Sequence, residues 1–165
     1  MMLHIVLFEP EIPQNTGNIA RTCAAVGAEL HLVHPLGYSL DEKHLKRAGL
    51  DYWPLVKVIE HESVAVFMER HGDENLYFFT KKARHSYHEV IYPQDVWLVF
   101  GRESTGIDEA FLLAHEERTL RIPMRAEARS LNLSNSVAIA TYEYMRQQNF
   151  PGLRETGMLS SPQNG

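Results

Sequence analysis

Six short apolar runs recur along the chain, alternating with five stretches of helical spacing, and this alternation restricts the fold more than any other feature. The runs are HIVLF (4–8), ELHLVH (29–34), LVKVIE (55–60), NLYFFT (75–80), VWLVF (96–100) and TLRIPM (119–124). Helical candidates between and after them cover 16–27, 41–49, 61–71, 107–115 and 133–148. Short, nearly continuous apolar runs suit strands buried on both faces, and strands separated by helices pair in parallel. The expected fold is therefore α/β, a mostly parallel sheet with helices on both faces. Its ligands would bind in the loops beyond the carboxyl ends of the strands.

A chain of 165 residues with 44% hydrophobic residues can bury one core without disulfides or a structural metal. Residues 1–150 read as one domain. Residues 151–165, rich in Gly, Ser and Pro and without periodicity, read as a mobile tail. No apolar run approaches the roughly 18 residues of a membrane span, so no membrane partner is expected. The opening MMLHIVLFEPEIPQ reads as a first strand rather than a secretion signal, and the single cysteine, Cys23, suits a reducing cytoplasm. The net charge of −5 argues against gripping nucleic acid through overall charge. Local basic clusters remain at Lys43, Lys46 and Arg47, at Lys81, Lys82 and Arg84, and at Arg121, Arg125 and Arg129.

Three loops after strands are unusual. After the first strand comes EPEIPQNTGNIARTCAAVG, where Asn15 or Thr16 can cap a helix that Gly27 ends. Capping does not account for Arg21, set among the small and apolar residues of that helix. After the fifth run, FGRESTG supplies Gly101 and Gly106 for a tight turn, and Ser104 or Thr105 can begin the next helix. It lacks the Gly-Lys-Ser/Thr of a phosphate loop, and Glu103 is a better acceptor for a hydroxyl or amine than a neighbour for phosphate. After the sixth run, IPMRAEARSLNLSNSVAIATYEYM places five Ser or Asn residues between Ser130 and Ser136, at the mouth of an apolar helix. One cap residue would suffice, so Ser130–Asn132 is read as lining a site and Ser134–Ser136 as capping the helix.

Taken together, NTGNIAR, FGRESTG and IPM followed by SLNLSNSVAIATYE resemble the three motifs of the SPOUT superfamily of RNA methyltransferases, in its ribose 2′-O-methylating branch. The resemblance covers roughly residues 2–150. Chain length and the pattern EPEIPQNTGNIAR are most similar to members that methylate the wobble nucleotide of tRNA, position 34, as cytidine or a modified uridine. The resemblance implies a SPOUT-type fold whose C-terminal part forms a deep trefoil knot, S-adenosyl-L-methionine as cofactor, no metal, and a homodimer. Matched residue by residue, it implies cofactor contacts at Phe79, Thr80, Gly101, Ile122, Ser130 and Leu131. It implies catalytic roles for Arg21, Asn15, Glu103, Ser130 and Asn132, and substrate contacts at Arg125, Arg129 and Asn135, with a tRNA anticodon stem-loop as partner.

Arg21 stands either as general base or as a clamp that stabilises charge on the attacking oxygen, since a guanidinium donates but offers no acceptor. His85 and His88, beside a basic cluster, are the competing bases, or simply exposed loop residues. Tyr142 fits the core or a subunit interface better than the cofactor. Two other functions compete: 2′-O-methylation of a different tRNA or ribosomal RNA site, and a noncatalytic nucleotide- or RNA-binding module.

Overall fold

The structure is a computed structural model that describes residues 1–41 and 53–160. The helix expected over 41–49 and the basic cluster Lys43, Lys46 and Arg47 lie, apart from residue 41, outside the described residues. Seven strands form one sheet: β1 (Met2–Phe8), β2 (Glu29–Val33), β3 (Val58–His61), β4 (Leu76–Phe79), β5 (His85–Ser86), β6 (Asp95–Phe100) and β7 (Thr119–Arg121). The six expected strands are present. The two-residue β5 escaped the sequence reading because a run so short carries no periodicity.

The strand order is β3-β2-β1-β6-β4-β7-β5, and each of its pairings is parallel. The chain builds outward from β1 through β2 and β3, then returns to lay β6 on the other side of β1. The boundary between β1 and β6 is the point where connections leave in opposite directions, and a crevice opens there.

Helices cover both faces, as the buried runs require. α1 (Pro13–Val26) and α4 (Leu133–Gln147) bury Ile19, Ala20, Cys23, Val137, Ala140, Tyr144 and Met145 against Leu3, Ile5, Leu7 and Leu98. α2 (Val64–His71) and α3 (Glu109–Ala114) cover the other face, with Phe67 and Leu112 against Val6, Phe8, Phe78 and Val99. Strict alternation along β1 sends Ile5 and Leu7 to one layer and Val6 and Phe8 to the other, which is why this strand reads as an unbroken apolar run. Cys23 packs as a small core residue, and burial pushes its thiol up to about 12. Phe150 and Leu153 pack beside the α1–α4 layer, while Arg154–Ser160 is exposed. No helix among the described residues is long and apolar enough to cross a membrane.

β7 enters the sheet between β4 and β5, two strands already joined by the short segment 80–84. Leu120 of β7 pairs with Phe79 on one side and His85 on the other. The 80–84 segment therefore crosses over the line of β7, and Lys81 Nζ reaches past it to donate to the Arg129 carbonyl at 3.1 Å.

Candidate active site

The three motif loops meet at the crevice, and a chain of side chains fastens them together. α1 begins at Pro13, which needs no partner for its missing N–H and fixes the backbone angle that a helix start requires. Its cap position is Ile12, which has no side-chain acceptor. The sequence reading gave the cap to Asn15 or Thr16; both lie inside the helix and are buried. The acceptor comes instead from the second loop. Glu103 Oε2 accepts the Glu11 backbone N–H at 2.7 Å, and its Oε1 accepts the Ile12 N–H at 3.1 Å.

Asn15, freed from capping, uses both ends of its amide between loops. Its Nδ2 donates to Glu103 Oε1 at 3.3 Å, and its Oδ1 accepts from Asn132 Nδ2 at 3.1 Å. Asn132 is the cap of α4: its Oδ1 accepts the backbone N–H groups of Ser134 at 2.9 Å and Asn135 at 3.3 Å, and the Ser134 hydroxyl at 2.6 Å. The cap expected from Ser134–Ser136 is thus one turn too late, because those residues already belong to the helix. Asn132 serves the helix with its oxygen and the first loop with its nitrogen, since an amide carries its acceptor and its donor on separate atoms.

The contact between the first two loops is reciprocal. Glu11 Oε1 accepts the Ser104 backbone N–H at 3.0 Å and its hydroxyl at 2.6 Å, and these bonds hold the Glu11 carboxyl below its ordinary value. On the other side of the second loop, Arg102 pairs with Glu9 at 3.0 Å beside a cavity of about 210 Å³ lined by Phe8, Val64, Ile107 and Phe111. Gly101 permits this fold of the loop, since a Cβ there would meet Gly106 C and Ile107 N at 2.3 Å. Ser104 and Thr105 lie in the turn rather than opening α3, whose cap is Asp108.

The positions expected to hold the cofactor stand at the carboxyl ends of three adjacent strands, β6, β4 and β7. Phe79 is buried and stacks on Phe100 with ring centroids 4.6 Å apart, so it presents backbone rather than ring. Thr80 and Ile122 are half-buried, and Ser130 and Leu131 are exposed. Apolar surface beside hydroxyl and backbone groups fits a ligand with a nucleoside and an amino-acid end.

Arg21 stands on the solvent side of α1, about 9 Å along the axis from Asn15. It shares its strip of the helix with exposed Ala25, which lines a groove of about 510 Å³ with Tyr142, Phe150 and Leu153. Tyr142 is 45% exposed and is no core residue. Arg125, Arg129 and Asn135 are exposed at the rim. Of the second basic cluster, Lys82 pairs with Glu109 and Arg84 with Glu116, while exposed His85 and His88 lie beside Glu89 and Ser86. The sequence reading missed Glu11 and the Glu9–Arg102 pair. The available signal was an acidic residue just before a helix whose own cap position is an isoleucine.

The chain matches the SpoU rRNA Methylase family over residues 2–142. A protein of Escherichia coli strain K12 named tRNA (cytidine(34)-2′-O)-methyltransferase is 43% identical over 152 residues, covering 92% of this chain and 97% of that protein. A Listeria monocytogenes protein that carries the same name provisionally is 52% identical over 153 residues, covering 91% and 90% of the two chains. A solved structure from a study of the 2-OH methylation of C/U34 on tRNA superposes with a TM-score of 0.83 at 47% identity, covering 90% of this chain and 97% of the other.

Proposed function

The chain belongs to the SpoU rRNA methylase family, and from that premise we propose that it is a methyltransferase acting on the ribose 2′-hydroxyl of the wobble nucleotide, position 34, of tRNA. The observation that carries this reading is the coupling of three motif loops through Glu103, Asn15 and Asn132, in a chain alike to relatives named for that reaction along nine-tenths of its length. Cytidine is the base in those names, and a modified uridine is the second wobble base.

The cofactor is S-adenosyl-L-methionine, which when bound supplies an electrophilic methyl group and needs no metal. Backbone groups at Phe79, Thr80, Gly101 and Ile122, with Ser130 and Leu131, would hold it. Glu103, Asn15 and Asn132 act as positioning residues: with their hydrogen bonds satisfied inside the protein, they fix the three loops in the geometry that aligns hydroxyl and methyl. Arg21 donates to the attacking 2′-oxygen or to the adjoining phosphate and stabilises the charge that develops there. Arg125, Arg129 and Asn135 line the approach of the anticodon stem-loop.

Two structural features support further parts of the proposal. The 80–84 segment crosses the line of β7, so the chain leaving β7 for α4 must pass that crossing; this suits a C-terminal trefoil knot. Exposed Tyr142 on α4 borders the groove beside α1, and Ile139 is exposed three residues earlier on the same helix. A second copy of the chain packed there makes a homodimer and sets Arg21 at the boundary between subunits. The cytoplasm, where tRNA is modified, is the proposed compartment.

Incubation with bulk tRNA and methyl-labelled cofactor, followed by mapping of the modified nucleotide, tests the function. Label on the ribose of nucleotide 34 is expected. Label at another position identifies a different RNA target, and no label on any RNA leaves a binding module.

A further inference from the structure

Away from the motif loops, at the amino-terminal ends of β1 and β2 and under α2, three side chains converge from neighbouring strands. We propose that His4, Glu29 and His31 form a binding site for a divalent transition-metal ion of the zinc class. Their ligand-type atoms already form a triangle: His4 Nδ1 to Glu29 Oε2 is 3.0 Å, His4 Nδ1 to His31 Nε2 is 3.0 Å, and His31 Nε2 to Glu29 Oε2 is 3.5 Å. A tetrahedral zinc ion with bonds of about 2.0–2.1 Å keeps its ligands roughly 3.4 Å apart. An ion therefore fits above this triangle with ordinary bond lengths and small adjustments.

Proton accounting favours an ion over a simple hydrogen-bond network. If both ring nitrogens carry protons and donate to Glu29, two N–H groups oppose each other across 3.0 Å. If only His4 carries one, the His31 lone pair faces the Glu29 carboxylate; if only His31 does, the His4 lone pair faces it at closer range. The best assignment, a proton on His4 alone, satisfies two of the three contacts and leaves lone pairs facing at 3.5 Å, whereas a cation makes all three atoms attractive partners.

The surroundings have the character of a metal ligand shell. His31 Nδ1 lies 2.9 Å from His61 Nε2, so its remaining N–H can be held by that ring, which fixes the tautomer needed for Nε2 to ligate. His4 stacks on Trp97 with centroids 3.8 Å apart, which locks its ring plane. Lys57 pairs with the other Glu29 oxygen at 2.5 Å from an exposed position, opposing the cation and leaving the ligating oxygen in place. His4 and Glu29 retain 14% and 13% side-chain exposure, which gives the ion a route in and a place for a fourth ligand, a water.

The test is titration of the tag-free, chelator-treated chain with zinc chloride by calorimetry and with cobalt chloride by visible absorption. One ion per chain is expected, with the intense visible bands of a four-coordinate cobalt site. Glu29→Gln, which keeps the shape and most hydrogen bonding, is expected to weaken zinc binding at least about 100-fold while retaining its circular dichroism spectrum, and Lys57→Ala to tighten binding several-fold. A folded Glu29→Gln chain that binds zinc as well as the parent overturns the proposal. So does a parent chain whose cobalt spectrum stays that of the hydrated ion.

Discussion

Arg21 and Glu11 illustrate two kinds of functional residue. Arg21 is exposed and, in the role proposed for it, carries its chemistry in a planar fork of donors, so its removal should spare the fold and the proposed cofactor positions. Arg21→Ala is expected to keep cofactor affinity within about twofold and to lower kcat at least ~100-fold; Arg21→Lys should recover little, because an ammonium cannot reproduce the fork. Calorimetry and labelled-methyl turnover measure the two quantities. Glu11 acts inside the protein. Two hydrogen bonds from Ser104 hold its carboxyl below the ordinary 4.5, so as pH falls the unfolded chain takes up its proton first. The stability it contributes is complete above about 4.5 and disappears as pH drops through its lower folded value. Ser104→Ala should raise the Glu11 midpoint toward 4.5, read by carboxyl NMR titration. The motif residues were legible because their types are unusual for where they stand: an arginine among alanines, a surplus of Ser and Asn before a helix. Glu11 was not, since a carboxylate exchanged between loops 93 residues apart leaves no local pattern.

At the scale of elements, the second loop is built on one permissive position. A methyl group at Gly101 meets backbone atoms of Gly106 and Ile107 at 2.3 Å, and backbone cannot rotate out of the way as a side chain can. Gly101→Ala should therefore displace the turn that carries Glu103, costing about 1–3 kcal/mol in urea unfolding and weakening cofactor binding. Six of the seven strands and the four described helices were legible, because strands buried on both faces read as apolar runs and amphipathic helices read as periodic ones. The acceptors that cap the helix starts were not, although the last helix was expected from its observed first residue, Leu133. Where a helix begins depends on which acceptor reaches its free N–H groups: for α1 that is Glu103 from another loop, and for α4 it is Asn132, one candidate among several. The histidine and glutamate triangle stayed hidden for a related reason, its members lying on separate strands that look ordinary alone.

For the whole molecule, the proposed pairing of two copies along α1 and α4 would link association to activity. Replacing the exposed Tyr142 with a charge would repel a second copy without disturbing the core. Tyr142→Glu is expected to elute as a monomer in size-exclusion chromatography, to unfold at a lower temperature, and to lose methyl transfer; a monomer with full activity would detach the dimer from the reaction. The topology of the sheet could not be read from the sequence, because no local signal specifies that β7 slides between β4 and β5. The three-loop network has a further consequence, which concerns time. Asn15 is made before its partners Glu103 and Asn132, which stand 88 and 117 residues later. A nascent chain thus makes Asn15 well before it can complete the network, which closes only when Asn132 emerges. Products that stop short of it lack the last connection between the first and third loops.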